Sequence, residues 1–153
     1  MKLDFLKKLY EEDLLSVEES FDTWQDAVKA SILPMVNKKM VTPAYGDEIL
    51  KSVDEYGLYI FLCPHICMPH CKAFSEVMQS GACLMKVNQP VYPIPDDPST
   101  FAELFFAIAG TDADHHLDCV QDFMEILDDE ETVEALLQVQ SMEDLKQLIY
   151  GGK

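Results

Sequence analysis

Arginine is absent from the chain: all 11 basic residues are lysines, set against 28 acids. A guanidinium is the side chain best shaped for a two-pronged grip on phosphate or carboxylate. The positive charge of any anion site here must therefore come from lysine or histidine, with backbone N–H groups adding their dipoles. The net charge of −17 argues against nucleic acid, whose phosphates would be repelled. No apolar run approaches the roughly 20 residues needed to cross a bilayer, which argues against direct membrane insertion. The first residues, MKLDFLKKLYEEDLL, lack the apolar core of a secretion signal, so a cytoplasmic protein is expected. Five cysteines, an odd number without such a signal, read as reduced thiols rather than a disulfide framework.

What is present is enough for a substantial core. The chain has 153 residues, 48% of them apolar, which predicts one domain over residues 1–153. Charge is uneven: residues 1–76 carry −5 and residues 77–153 carry −12. Such a field speeds encounter with a basic protein partner, and it equally describes a solvated acidic surface.

Along the chain, residues 1–20 predict a short charged helix and then a brief strand over 14–17. Residues 22–37 place Trp24, Ala27, Val28, Ile32 and Met35 at helical spacing, with Asp22 or Thr23 as cap, Pro34 as a kink or stop, and Trp24 as a core anchor. Thr42-Pro43 predicts a helix start that Gly57 ends. Residues 58–62 then read as a buried strand, and 80–87 as another. Residues 101–109, FAELFFAIA, fit a strand or a helix equally well. Between the last two, NQPVYPIPDDPST is a surface loop or edge crossing. From Asp114 onward helices are expected, over 114–127, 132–139 and 142–149. Interleaved strands and helices predict an α/β fold.

All four histidines fall in two pairs, His65/His70 and His115/His116. The first pair lies in turns opened by Pro64 and Pro69 just beyond the predicted strand, held by the scaffold yet reachable. The second follows Asp112-x-Asp114 at a predicted helix start, where free N–H groups and the macrodipole favour an anion over an imidazolium. A neutral histidine there can donate to phosphate or act as a nucleophile. If the two pairs meet in space, they can carry a phosphoryl group on a ring nitrogen.

The run VTPAYGDEIL–KSVDEYG–LYIFLCPHICMPHC resembles the IIA domains of the bacterial sugar phosphotransferase system, mannitol/fructose class (EIIA type 2). It is most similar to the ascorbate-specific branch. Trp24 to Val28, residues 109–116 and the last helix also resemble that family. The resemblance implies a mixed β-sheet sandwiched between helical layers, and a phosphotransferase that is a cytoplasmic phosphohistidine carrier needing no cofactor and no metal. His70 falls on the phospho-acceptor, charged by HPr and discharged to a cysteine of a cognate IIB that works with a membrane IIC. His116 falls on the second histidine, which contacts the phosphoryl group. Lys72 stands where the family commonly has arginine, and His65 where it usually has glycine; both are candidate phosphoryl-binding residues. Cys71, just after the acceptor, is expected to make the site more crowded and more nucleophilic.

Two other classes compete. IIA-like domains also act as regulatory sensors that bind partners according to phosphorylation. Cys63-x-His65-x-Cys67-x-x-His70-Cys71 offers soft-metal ligands, with Cys63, His65 and Cys67 sharing a face if the segment is a strand. The Met- and Phe-rich strands suit a core or a homodimer surface.

Overall fold

The computed structural model describes residues 1–151; Gly152, which the sequence placed after the last helix, lies outside them. Helix α1 (Asp4–Glu11) leads into strand β1 (Leu15–Glu18), as the charge and apolar pattern predict. The helical segment that follows is split. Helix α2 (Trp24–Ser31) is capped by the Thr23 hydroxyl, which accepts from the Asp26 N–H at 3.1 Å. Helix α3 (Leu33–Asn37) restarts after Ile32 with Pro34 in its first turn, where a missing N–H costs nothing.

Helix α4 (Tyr45–Tyr56) begins two residues later than Thr42-Pro43 suggests. The Thr42 hydroxyl donates to the Glu76 carboxylate and its N–H to the Glu76 carbonyl, which ties Thr42 to a distant segment, and the helix starts without a side-chain cap. Gly57, at φ 90°, ends the helix in a conformation that only glycine adopts without strain.

The buried strand expected over 58–62 is a correction. Residues 57–60 form a turn, with the Tyr59 N–H on the Gly57 carbonyl and the Phe61 N–H on the Leu58 carbonyl. Strand β2 (Phe61–Cys63) starts only afterwards, and it lies at the sheet edge with Leu62 and Cys63 exposed. It turns at Pro64 into β3 (His65–Cys67), where His65 adopts φ 78°. That turn breaks the strand alternation on which the shared Cys63–His65–Cys67 face depends. Cys63 faces solvent while Cys67 is fully buried. Among the described residues no group of three His, Cys, Asp or Glu side chains is placed to hold a metal ion.

Strand β4 (Gly81–Val91) runs four residues further than predicted, absorbing the start of the proline-rich segment. Strand β5 (Ala102–Ala109) resolves the helix-or-strand ambiguity in favour of strand. Every residue from Leu104 to Ala109 is fully buried. Burial on both faces explains why its sequence is a continuous apolar run rather than an alternating one. The chain ends in helices α5 (Ala113–Leu127), α6 (Glu130–Gln138) and α7 (Met142–Tyr150).

The sheet is mixed, in the order β1-β4-β5-β3-β2: β1 is parallel to β4, β4 antiparallel to β5, β5 parallel to β3, and β3 antiparallel to β2. Consecutive strand residues point to opposite faces, and β5 is covered on both. Phe106 meets Phe123 of α5, which in turn meets Phe5 of α1, at ring separations of 4.7 and 5.3 Å. Phe105 faces Phe61, which carries Trp24 of α2 edge-on. No helix among the described residues is long and apolar enough to cross a membrane.

Candidate active site

The segment Met68-Pro69-His70 leaves β3 and crosses the end of β5. Its three consecutive carbonyls each have a different donor. Pro69 O accepts from the Ile108 N–H of β5 at 3.1 Å, Met68 O faces His70 Nδ1 at 2.6 Å, and His70 O accepts from the Tyr59 phenol. The Met68 N–H in turn reaches back to the Ile60 carbonyl. Because a carbonyl only accepts, the bond to Met68 places the ring proton of His70 on Nδ1 and leaves the lone pair on Nε2.

His116 arrives from the other side of the same strand end. After Ala109 the chain passes Gly110 and turns into α5 at Asp112, whose carboxylate accepts the His115 N–H at 2.9 Å. A methyl group at Gly110 would sit 2.6 Å from the backbone N, Cα and Cβ of His116, so only glycine lets the helix start this close. The rings of His70 and His116 lie 5.3 Å apart, tilted by 39°. His116 Nε2 is buried and has no hydrogen-bond partner. A buried polar atom left unpaired is costly, and such atoms cluster at functional sites.

Burial holds the pKa of both rings below the ordinary imidazole value of 6.5. At His116 the charges of His70 and Lys72 add to the effect; at His70 the Met68 carbonyl partly opposes it. Both are therefore neutral near pH 7. Lys72 is exposed at the rim of an open cleft of about 410 Å³ that it lines with His70, Cys71, Ser52, Tyr56 and Tyr59.

Not every residue expected here is present. Each histidine pair sends one member to the site and one away. His115 points outward, its Nδ1 on the Asp112 carboxylate at 2.8 Å. His65 pairs with Ala102 at the opposite end of β5. That is six residues from Ile108, roughly 20 Å at the strand rise. There its Nδ1 meets Glu103 at 2.7 Å and its ring stands edge-on to Phe101. It cannot touch a group on His70.

Cys71 is buried beside His70, and desolvation pushes its thiol up from the ordinary value, which works against the added nucleophilicity expected of it. Sequence reasoning passed over Tyr59 and Gly110. Tyr59 had one signal, a phenol inside an apolar run, since a half-buried hydroxyl needs a partner.

A wider groove of about 600 Å³ lies at the His65 end, between Trp24, Tyr92 and Ile94 with Asp22 and Asp96 at its lip. Its walls hold no lysine, histidine or cysteine, whereas the smaller cleft has all three.

A family described as the EIIA 2 component of the phosphoenolpyruvate-dependent sugar phosphotransferase system matches residues 8–151. The ascorbate-specific EIIA component of Mycoplasma pneumoniae is 31% identical over 89% of this chain and 85% of its own. The solution structure of the mannitol-specific cryptic phosphotransferase enzyme IIA from Escherichia coli superposes with a TM-score of 0.77 at 29% identity, covering 91% of this chain and 93% of that one. At 20% identity, which supports the fold alone, the complex of enzyme IIA and phosphorylated enzyme IIB for mannitol from the same organism gives a TM-score of 0.74 over 91% and 95% of the chains.

Proposed function

Since the chain belongs to the EIIA 2 family of the phosphoenolpyruvate-dependent sugar phosphotransferase system, we propose that it carries the phosphoryl group on Nε2 of His70, between HPr and a cognate IIB. The observation that carries this assignment is the pairing of the two rings. His70 is a neutral imidazole with its proton committed to Met68, and it faces a second neutral imidazole whose buried Nε2 lacks a partner.

In the first half of the cycle the His70 Nε2 lone pair bonds to phosphorus as the P–N bond of phospho-HPr breaks. The electron pair of that bond leaves with the HPr imidazole. In the second half a cysteine thiolate of IIB attacks the same phosphorus, and the electron pair returns to His70 Nε2. Such transfers pass through loose transition states in which positioning and charge neutralisation do most of the work. His116, as its Nε2–H tautomer, donates to a phosphoryl oxygen. Lys72 supplies positive charge from the rim. A lysine gives charge without a fixed fork, so the phosphohistidine is held less rigidly than an arginine would hold it. His65 has no part in this scheme.

The ascorbate and mannitol names belong to the relatives; here they indicate the class of sugar, whose identity is selected by the IIB and the membrane IIC. The test is phosphorylation of wild type and His70→Ala side by side with phosphoenolpyruvate, Enzyme I and HPr. An acid-labile, base-stable phosphate on the first and none on the second is the expected result. No phosphate on either would turn the assignment to a IIA-like sensor.

A further inference from the structure

Of the three donors that fix Met68-Pro69-His70, two come from buried β5 and from the histidine ring itself. The third is one exposed-side phenol. Tyr59 stands in the turn after α4, its ring edge-on to the His70 imidazole at 5.1 Å and 85°. Its hydroxyl contacts both the His70 carbonyl and Ser52 Oγ, the latter at 3.1 Å. A phenol has one proton and a carbonyl can only accept. The Tyr59 O–H therefore donates to His70 O, and the Ser52 hydroxyl donates to Tyr59. Burial raises the pKa of the phenol, so this proton is retained across the working range.

We propose that Tyr59 is a positioning residue for phosphoryl transfer: by pinning the backbone carbonyl of His70 and bracing its ring, it keeps Nδ1 on the Met68 carbonyl and the lone pair on Nε2. The role rests on the carrier assignment of His70. The geometry supplies a mechanism. Without the phenol proton the His70 carbonyl loses its donor, and rotation of that peptide frees the imidazole to leave Met68. Either nitrogen can then hold the proton, and the nucleophilic lone pair no longer has a fixed address. A misplacement of about 1 Å at the reacting atom costs up to about a hundredfold in rate. Ser52 acts one step further out, so its loss costs less.

The decisive comparison is Tyr59→Phe against wild type, with Ser52→Ala and Tyr59→Leu alongside. Single-turnover phosphorylation by phospho-HPr is read together with melting temperature and with nitrogen-15 NMR of the histidine ring nitrogens. Tyr59→Phe is expected to melt within a few degrees of wild type. It should keep its KM for HPr and lose about tenfold or more in the transfer step, with His70 shifting from one tautomer to a mixture. Wild-type rate and a single wild-type tautomer in Tyr59→Phe would overturn the proposal. So would a melting temperature that falls as far as in Tyr59→Leu, because the phenol would then serve folding alone. Wild type that accepts no phosphate would overturn the carrier assignment instead, and the NMR signature would still decide the clamp.

Discussion

His65 and His70 are five residues apart, each follows a proline, and each has its Nδ1 hydrogen-bonded. Their partners make them different. At His65 the partner is the Glu103 carboxylate, a negative charge beside the ring that repels an incoming phosphoryl group. At His70 it is the Met68 carbonyl, a neutral acceptor that orients the ring and leaves Nε2 free. The surroundings follow suit: one end of β5 offers an aromatic groove with acids at its lip, the other a second imidazole, a lysine and a helix start. A nucleophile is made less by the histidine than by what holds its other nitrogen.

That comparison can be broken from its strong end. Beyond the complete loss expected for His70→Ala, the largest effect should come from His116→Ala. It removes the neighbour while leaving the nucleophile, so the protein should still accept phosphate but deliver it to IIB about 10²-fold more slowly, the usual cost of one preorganised donor. Single-turnover transfer to purified IIB measures this, and transfer at the normal rate would remove His116 from the mechanism.

Acid should come next. Burial lowers the pKa of both site histidines from 6.5, so the acid limb of the phosphorylation rate should fall at a pH below 6.5. The same shift has a stability consequence of defined sign. The unfolded chain binds protons on these residues more tightly than the folded one, so their contribution to stability is intact above pH 6.5 and erodes as the pH drops toward the folded values. Urea midpoints on either side of pH 6.5 should therefore fall with acid in wild type, and fall less in His70→Ala.

The smallest effect should be at the weak end. His65→Ala breaks a half-exposed pair with Glu103, of a kind worth about 1 kcal/mol or less. It should leave the transfer rate within about twofold of wild type. A tenfold loss of transfer would show that the two ends of β5 communicate.

Local signals in the sequence carried through to the structure, and those that depended on distant neighbours did not. The α5 start was legible because Asp112 and the His115 N–H it caps are three residues apart. The break at Pro34 and the stop at Gly57 were legible for the same reason. Thr42 was misread because the group that takes its hydroxyl, Glu76, is 34 residues away. The buried strand expected at residues 58–62 became a turn and an edge strand, since apolar character reports burial and says nothing of sheet position. His70 and His116, singled out through the resemblance and the anion-favouring helix start, do lie together, with ring centroids 5.3 Å apart. His65 was drawn in because nearness in sequence was taken for nearness in space. The three-residue strand β3 is enough to carry His65 and His70 toward opposite ends of β5.

Both site histidines are suspended from one place. Ile108 holds Pro69 by its amide, and Ala109 leads directly through Gly110 into the helix that bears His116. The gap between the rings is thus a property of the most deeply buried strand rather than of two loops that could drift independently. Local fluctuations, which open surface segments at little cost, have no cheap way to separate the pair. Moving the His70 backbone away from His116 then means loosening β5 itself, so the proposed reaction geometry is kept between encounters rather than found anew at each one.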